Sequence, residues 1–260
     1  MHDCYICLEC DAVPLGCACR ESADVKYAHV GCIVQFALQQ APCVGPKAWS
    51  VCSVCRQTFN GEIRRRLADA WIAHAVDPLD LIVAKNNMTH TLIERGAYAE
   101  AVRILRALVD ECTQTHGAEH HVTLLTAGNL ALALSRNDEL DAAARIQREL
   151  VVVRRRMSGD LHPSTLVATG NLAVTRMRQG DLDESERLER VVLHGRAVTL
   201  GSEHSSTLVS AGNLALVLDK RGQRAEAIAL WRSTYLTQRR VLGRSHPDTI
   251  ATGVALQSRS

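Results

Sequence analysis

One pattern recurs in this chain at a fixed interval of 42 residues, and it constrains the fold more than any other feature. The element Gly-x2-His-x2-Thr stands at Gly117/His120/Thr123, Gly159/His162/Thr165, Gly201/His204/Thr207 and Gly243/His246/Thr249. A Gly-Asn-Leu-Ala tetrad begins at Gly128, Gly170 and Gly212, with Asn87 one period before the first asparagine. A third series, Gly96, Asp138, Gly180 and Gly222, keeps the same interval. Three independent series in one register mark a stacked-repeat architecture.

Each period reads as helix, tight turn, longer helix. In the third unit the first helix is predicted from about Ser164 to Gln179, with Pro163 at a position where a missing N–H costs nothing. Gly180-Asp181 makes the turn, the second helix runs from Leu182 to Leu200, and Gly201 ends it in a left-handed cap. Ala101, Ala143, Ser185 and Ala227 are small enough for the two helices of each pair to approach closely. One pair cannot bury its apolar face alone, so neighbouring pairs share a core. Four full units are expected, with Pro247 to Ser260 as a shortened capping helix. Aromatic residues make up only 3% of the chain, so Leu, Val and Ala must fill that core.

The period, the Asn-Leu-Ala element and the Gly-x2-His-Pro-x-Thr form resemble the tetratricopeptide-type repeats of kinesin light chains. The resemblance covers residues 80–256 and implies an all-α solenoid that binds peptides. No heptad segment for pairing with a heavy chain is present. Helical spacing sets Val167, Asn171, Val174 and Arg178 on one face of a first helix, and in tetratricopeptide folds that face lines the concave groove. Equivalent positions give an asparagine column (Asn87, Asn129, Asn171, Asn213) and a basic column (Arg136, Arg178, Lys220), with Glu94 in the first unit. Asparagine offers donor and acceptor to an extended backbone, and a basic column favours an acidic partner. The same asparagines could equally bond between repeats, and the basic residues could be merely solvated. The repeated histidines lie a helix pair apart, and packed helix axes alone stand ~8–10 Å from each other. They cannot converge on one ion, so packing and capping are their expected roles.

Nine of the ten cysteines fall in the first 55 residues; only Cys112 lies beyond, as a small core residue of a helix. In order the candidate ligands are Cys4-x2-Cys7, Cys17-x-Cys19, His29-x2-Cys32 and Cys52-x2-Cys55. Spacings of one or two residues let two side chains bend onto one metal, and two such pairs complete a tetrahedral zinc site. Eight ligands give two closed, structural sites. Cys7-x2-Cys10 is also a usable pair, while Cys43 stands apart from the series. A segment of about 60 residues is marginal without such help, so zinc is expected to hold it folded.

Four cysteines, one histidine and three cysteines, with one residue between Cys17 and Cys19, resemble the RING-CH family over residues 1–62. Plant-homeodomain fingers share the ligand order, and Trp49 shortly before Cys52 keeps that reading open. The RING-CH resemblance implies a small zinc-stabilised α+β RING finger, cross-braced. Cys4, Cys7, His29 and Cys32 would hold one zinc, and Cys17, Cys19, Cys52 and Cys55 the other. It also implies a ubiquitin-protein ligase, which holds a ubiquitin-conjugating enzyme charged with ubiquitin in a reactive pose. Ile6, Ile33 and Phe36 occupy the family's contact positions for that enzyme, with Phe36 where tryptophan is usual. Arg56 matches the basic residue that bridges to ubiquitin. The competing reading is a non-catalytic adaptor in which zinc only folds an interaction module.

The expected organisation is therefore a finger at 1–62, a helical linker at 63–79 with a solvated Arg64-Arg65-Arg66, and repeats at 80–260. A formal charge of +2 argues against nucleic acid as a partner. No run of about 18 apolar residues exists to span a bilayer. The start of the chain has neither a basic n-region nor an apolar h-region. That predicts an intracellular, reducing location, the cytoplasm first with the nucleus left open.

Overall fold

The computed structural model describes residues 13–14, 27–28, 30–44, 49, 59, 61–75 and 77–259. These form two compact units, residues 1–133 and 134–260. Among the described residues there are two short strands and eleven helices.

In the first unit β1 (Val13–Pro14) pairs antiparallel with β2 (Tyr27–Ala28). Helices α1 (Val30–Val44), α2 (Gly61–His74), α3 (Pro78–Glu94) and α4 (Tyr98–His116) follow, and α5 (His121–Arg136) runs across the division between units. Among the described residues of this half, two clusters of buried side chains stand out. One joins Ile33 and Ala37 of α1 to Trp49, Phe59, the Ile63, Leu67 and Trp71 of α2, and Ala84 of α3. Trp49 and Trp71 stack with ring centroids 6.0 Å apart. The segment expected to be a helical linker is helical and also gives Ile63, Leu67 and Trp71 to this core. Its first turn is tied down as well, because Arg64 Nη1 donates to Glu94 Oε1 at 2.7 Å instead of standing solvated. The second core gathers Ile82, Leu108, Cys112 and Val122, which places Cys112 among apolar neighbours as its helical surroundings predict.

The second unit contains α6 (Leu140–Ser158), α7 (Pro163–Gln179), α8 (Leu182–Leu200), α9 (Ser205–Lys220), α10 (Arg224–Val241) and α11 (Pro247–Gln257). The sequence signals act here as local chemistry dictates. His162, His204 and His246 cap the N-termini of α7, α9 and α11, each ring nitrogen accepting from the backbone N–H two residues on, at 3.1 to 3.2 Å. Thr207 Oγ1 donates to the Gly201 carbonyl at 2.8 Å and closes the corner before α9. The small residues Ala143, Ser185 and Ala227 are fully buried between paired helices, and Ser185 Oγ satisfies its hydroxyl on Ala173 O at 2.8 Å. Leu214, Ala215, Leu218, Ala227 and Trp231 make the last core.

Gly180 turns the chain between α7 and α8 at φ 83, in the left-handed region that costs an L-residue roughly 1–2 kcal/mol. Nothing lies within 4 Å of an added Cβ, so only the backbone is at issue. Gly180→Ala is therefore expected to lower stability by about that amount, measured by chemical denaturation, while leaving the helical content unchanged. No helix among the described residues is long and apolar enough to cross a membrane.

Candidate functional site

The first helices of the second unit alternate buried and exposed positions as their spacing predicts. On α7, Leu166 and Leu172 are buried, while Val167 and Val174 are 48% and 36% exposed. On α9, Leu208 and Leu214 are buried and Val209 is 39% exposed. Asn171 is exposed on the same face as the two valines, and Asn213 is half-buried beside Val209 and Leu216. In the first unit, Leu125 of α5 is likewise 45% exposed. Each of these first helices therefore presents apolar side chains with an amide among them, where a partner backbone could lie.

The asparagines are not alike. Asn129 Nδ2 donates to Asn86 Oδ1 at 2.8 Å, and Asn86 Nδ2 in turn donates to Thr126 Oγ1 at 2.9 Å and to Ile82 O at 3.1 Å. Asn129 thus bonds between neighbouring first helices. It does so through the buried Asn86, whose neighbour Asn87 holds the expected register position and is half-buried. Asn213 hydrogen-bonds the carboxyl of Glu189 on α8. Asn171 has its amide at the surface.

Glu189 escapes notice in the sequence. It is 1% exposed, its Oε2 has no hydrogen-bond partner, and burial pushes its carboxyl up to about 7. The charge of Arg196 and the bond from Asn213 oppose that rise only in part. A small void of about 10 Å³ beside it is bounded by Val174, Met177, Asn213, Leu216 and Val217. The residues one period before and one period after, Gln147 and Trp231, are also buried, so the position is internal in each of these three units. A periodic alignment is the signal that finds it.

The basic column divides the same way. Arg178 is engaged within the repeats: its guanidinium donates to the carbonyl and, at 3.1 Å, to the hydroxyl of Ser135, and to Asp138 Oδ1 at 3.1 Å. Arg136 and Lys220 are exposed at the ends of their helices.

Of the N-terminal candidates, Cys32, Ile33 and Phe36 fall among the described residues, all on α1. Cys32 is half-buried in the first turn of α1. Ile33 is 3% exposed and belongs to the core instead of a contact surface. Phe36 is half-buried and, with Gly31, Cys32, Gln35 and Gln39, lines a shallow depression of about 230 Å³. Ile6, Arg56 and the ligands Cys4, Cys7, Cys17, Cys19, His29, Cys52 and Cys55 lie outside the described residues.

Compared with known proteins, the tetratricopeptide-repeat profile matches residues 81–121, 123–164, 165–206 and 207–248. No curated protein matches the chain. Among solved structures, the nearly identical TPR-like repeats of a Podosopora anserina protein described as a kinesin light chain align with a TM-score of 0.62 at 27% identity. That alignment covers 71% of this chain and 87% of the other. BtubC (BKLC) from P. vanneervenii gives a TM-score of 0.62 at 14% identity, over 75% of this chain and 78% of its own. A Rap protein complexed with competence and sporulation factor gives 0.57 at 10% identity, over 75% and 59%. The last two likenesses concern the fold alone.

Proposed function

Because the chain belongs to the tetratricopeptide-repeat family, we propose that its repeats hold an extended protein or peptide segment against the first-helix face, making it a protein-interaction adaptor. The observation that carries this reading is the row of exposed apolar residues on α7 and α9, Val167, Val174 and Val209, with Asn171 and Asn213 beside them. Valines left 36% to 48% exposed on helices that bury their other faces are available for side-chain contact, and the amides are suited to a peptide backbone. Arg136 and Lys220 offer an acidic segment two places to pair. Peptides selected on the full chain from a random display library test the reading. A Val167→Asp/Val209→Asp variant is expected to bind them at least about tenfold more weakly with an unchanged melting temperature, since a carboxylate replaces apolar contact. Equal binding by the variant would remove this face as the site.

A second reading concerns the N-terminal segment. Its seven cysteines and one histidine in four close pairs are the donor set that zinc prefers, and Cys32 sits on α1 one turn before the partly accessible Phe36. When bound, zinc would supply folding energy and no chemistry of its own. On this reading the segment recruits a ubiquitin-conjugating enzyme charged with ubiquitin, with Ile6 and Phe36 as contacts and Arg56 bridging to ubiquitin, and the repeats choose the substrate. Catalysis would then be by orientation alone. Discharge of ubiquitin from a panel of conjugating enzymes tests it. Phe36→Ala should abolish stimulation at unchanged zinc content, and a wild-type chain that stimulates none leaves the adaptor reading alone.

A further inference from the structure

The last first-helix pair, α9 and α11, encloses a notch of about 250 Å³, floored by α10. Comparison with the chain's own previous repeat explains it. Where α8 carries Arg196, α10 carries Gln238 one period on; where α9 carries Val209 and Asn213, α11 carries Ala251 and Ala255. All three changes shorten a side chain, and all three residues line the notch.

The missing guanidinium defines what the space is suited to. Arg196 Nη1 reaches across to the next first helix and donates to Ser206 O at 3.0 Å and Ser210 Oγ at 2.8 Å. Arg154, a period earlier, makes the corresponding bond to Ser164 O at 3.5 Å. Gln238 is shorter and carries no charge. It is 2% exposed, and its Oε1 is left without a hydrogen-bond partner. The counterparts of the two serines are Asp248 and Thr252, and both line the notch. Its walls are therefore apolar at Leu208, Leu216 and Trp231, while its polar groups include an orphan acceptor and a carboxylate. No lining residue is cationic. Arg259, 4.8 Å over the Trp231 ring, is already paired with Asp219 at 2.5 Å.

We propose that this notch takes the side chain of one arginine from a partner's extended segment, its methylenes along Trp231 and the leucines and its guanidinium on Gln238 Oε1 and the Asp248 carboxylate. The partner would supply from outside the group that Arg154 and Arg196 supply from within. A buried acceptor left unpaired is costly, and a donor that satisfies it recovers that cost. Arginine combines an apolar stem with a fork of donors, which matches this lining. The proposal rests on reading the first-helix face as a peptide-binding surface, and it names one specificity pocket on it.

The test uses the full chain and a capped alanine pentapeptide with arginine at its centre, followed by amide chemical shifts. Shifts confined to α9, α10 and α11 are expected with arginine, and much weaker ones with norleucine in its place. Norleucine binding as well as arginine would show a merely apolar pocket, and no shift with either would show none; both overturn the proposal. Gln238→Arg should refill the space from within, keep the fold and weaken the arginine peptide about tenfold or more, the loss expected when a charged hydrogen bond is displaced. Ala251→Val narrows the same notch without adding charge and is the second variant should the first fail to fold. Library-selected peptides that need Val167 and Val209 yet bind Gln238→Arg unchanged would remove the arginine pocket and leave the adaptor reading intact.

Discussion

Replacing Glu189 with glutamine is expected to abolish a loss of stability that the natural chain suffers between about pH 4.5 and 7. The carboxyl is 1% exposed and its folded-state value is pushed up to about 7 by burial, against an ordinary 4.5. Below pH 4.5 it is protonated in both the folded and the unfolded chain and contributes no difference. As pH rises, the unfolded chain releases its proton first, so the folded state holds more protons and stability falls. Above pH 7 both are ionised and the full cost is present, about 3 kcal/mol at 1.36 kcal/mol per unit. Glutamine cannot ionise and still accepts from Asn213, and the preceding repeat already carries Gln147 at this position. Denaturation curves of the two chains should therefore diverge from pH 4.5 upward and run parallel above 7. Curves parallel throughout would mean that water reaches the carboxyl. Removing the charge also takes a counter-charge from Arg196, so the gain at pH 8 should fall somewhat below the full amount.

A larger effect is expected from stripping metal. If the eight N-terminal ligands hold two zinc ions, each structural site contributes roughly 10–16 kcal/mol of apparent binding energy to folding. A strong chelator should then unfold the finger outright. The damage should extend into α2, because Ile63, Leu67 and Trp71 share their core with Ile33, Ala37, Trp49 and Phe59. Loss of the Trp49–Trp71 stack should appear as a change in tryptophan fluorescence at the chelator concentration that releases zinc. The helical signal of the repeats should persist. Elemental analysis of the purified protein giving one zinc or none would remove the two-site arrangement. Cys4→Ser should lose one metal and Cys10→Ser neither; the reverse outcome would move the first site to Cys7 and Cys10.

What the sequence disclosed was whatever the backbone imposes locally. The turn at Asp138, the series of caps at Gly117, Gly159, Gly201 and Gly243, and the histidine N-caps follow from φ requirements and unpaired N–H groups, which act over a few residues. The bounds of α7 and α8 follow from the same signals. Pairings between helices were not legible. Helical spacing puts Arg178 on an exposed face but says nothing of Ser135 and Asp138 some 40 residues earlier. Nor does it distinguish Asn86, whose neighbour Asn87 holds the repeat register. Glu189 carries no local signal of burial on its charged helix, because a single unit holds no record of what the next unit lays over it. In residues 63–79 the helix is legible, but the burial of Ile63, Leu67 and Trp71 is not, because it depends on partners in other segments.

The four second-helix caps adopt φ of 89, 90, 94 and 91 at intervals of 42 residues. Chain geometry at one cap is thus interchangeable with that at the next. A recombination event that joined the segment before Gly159 to the segment after Gly201 would remove one whole period and leave each remaining cap, turn and capping histidine in register. Duplication would lengthen the array with as little disturbance. The family of descendants open to such a gene varies in the length of its array. Gln238, Ala251 and Ala255 lie outside the exchanged period, so the notch they line would keep its own chemistry while the array changes length.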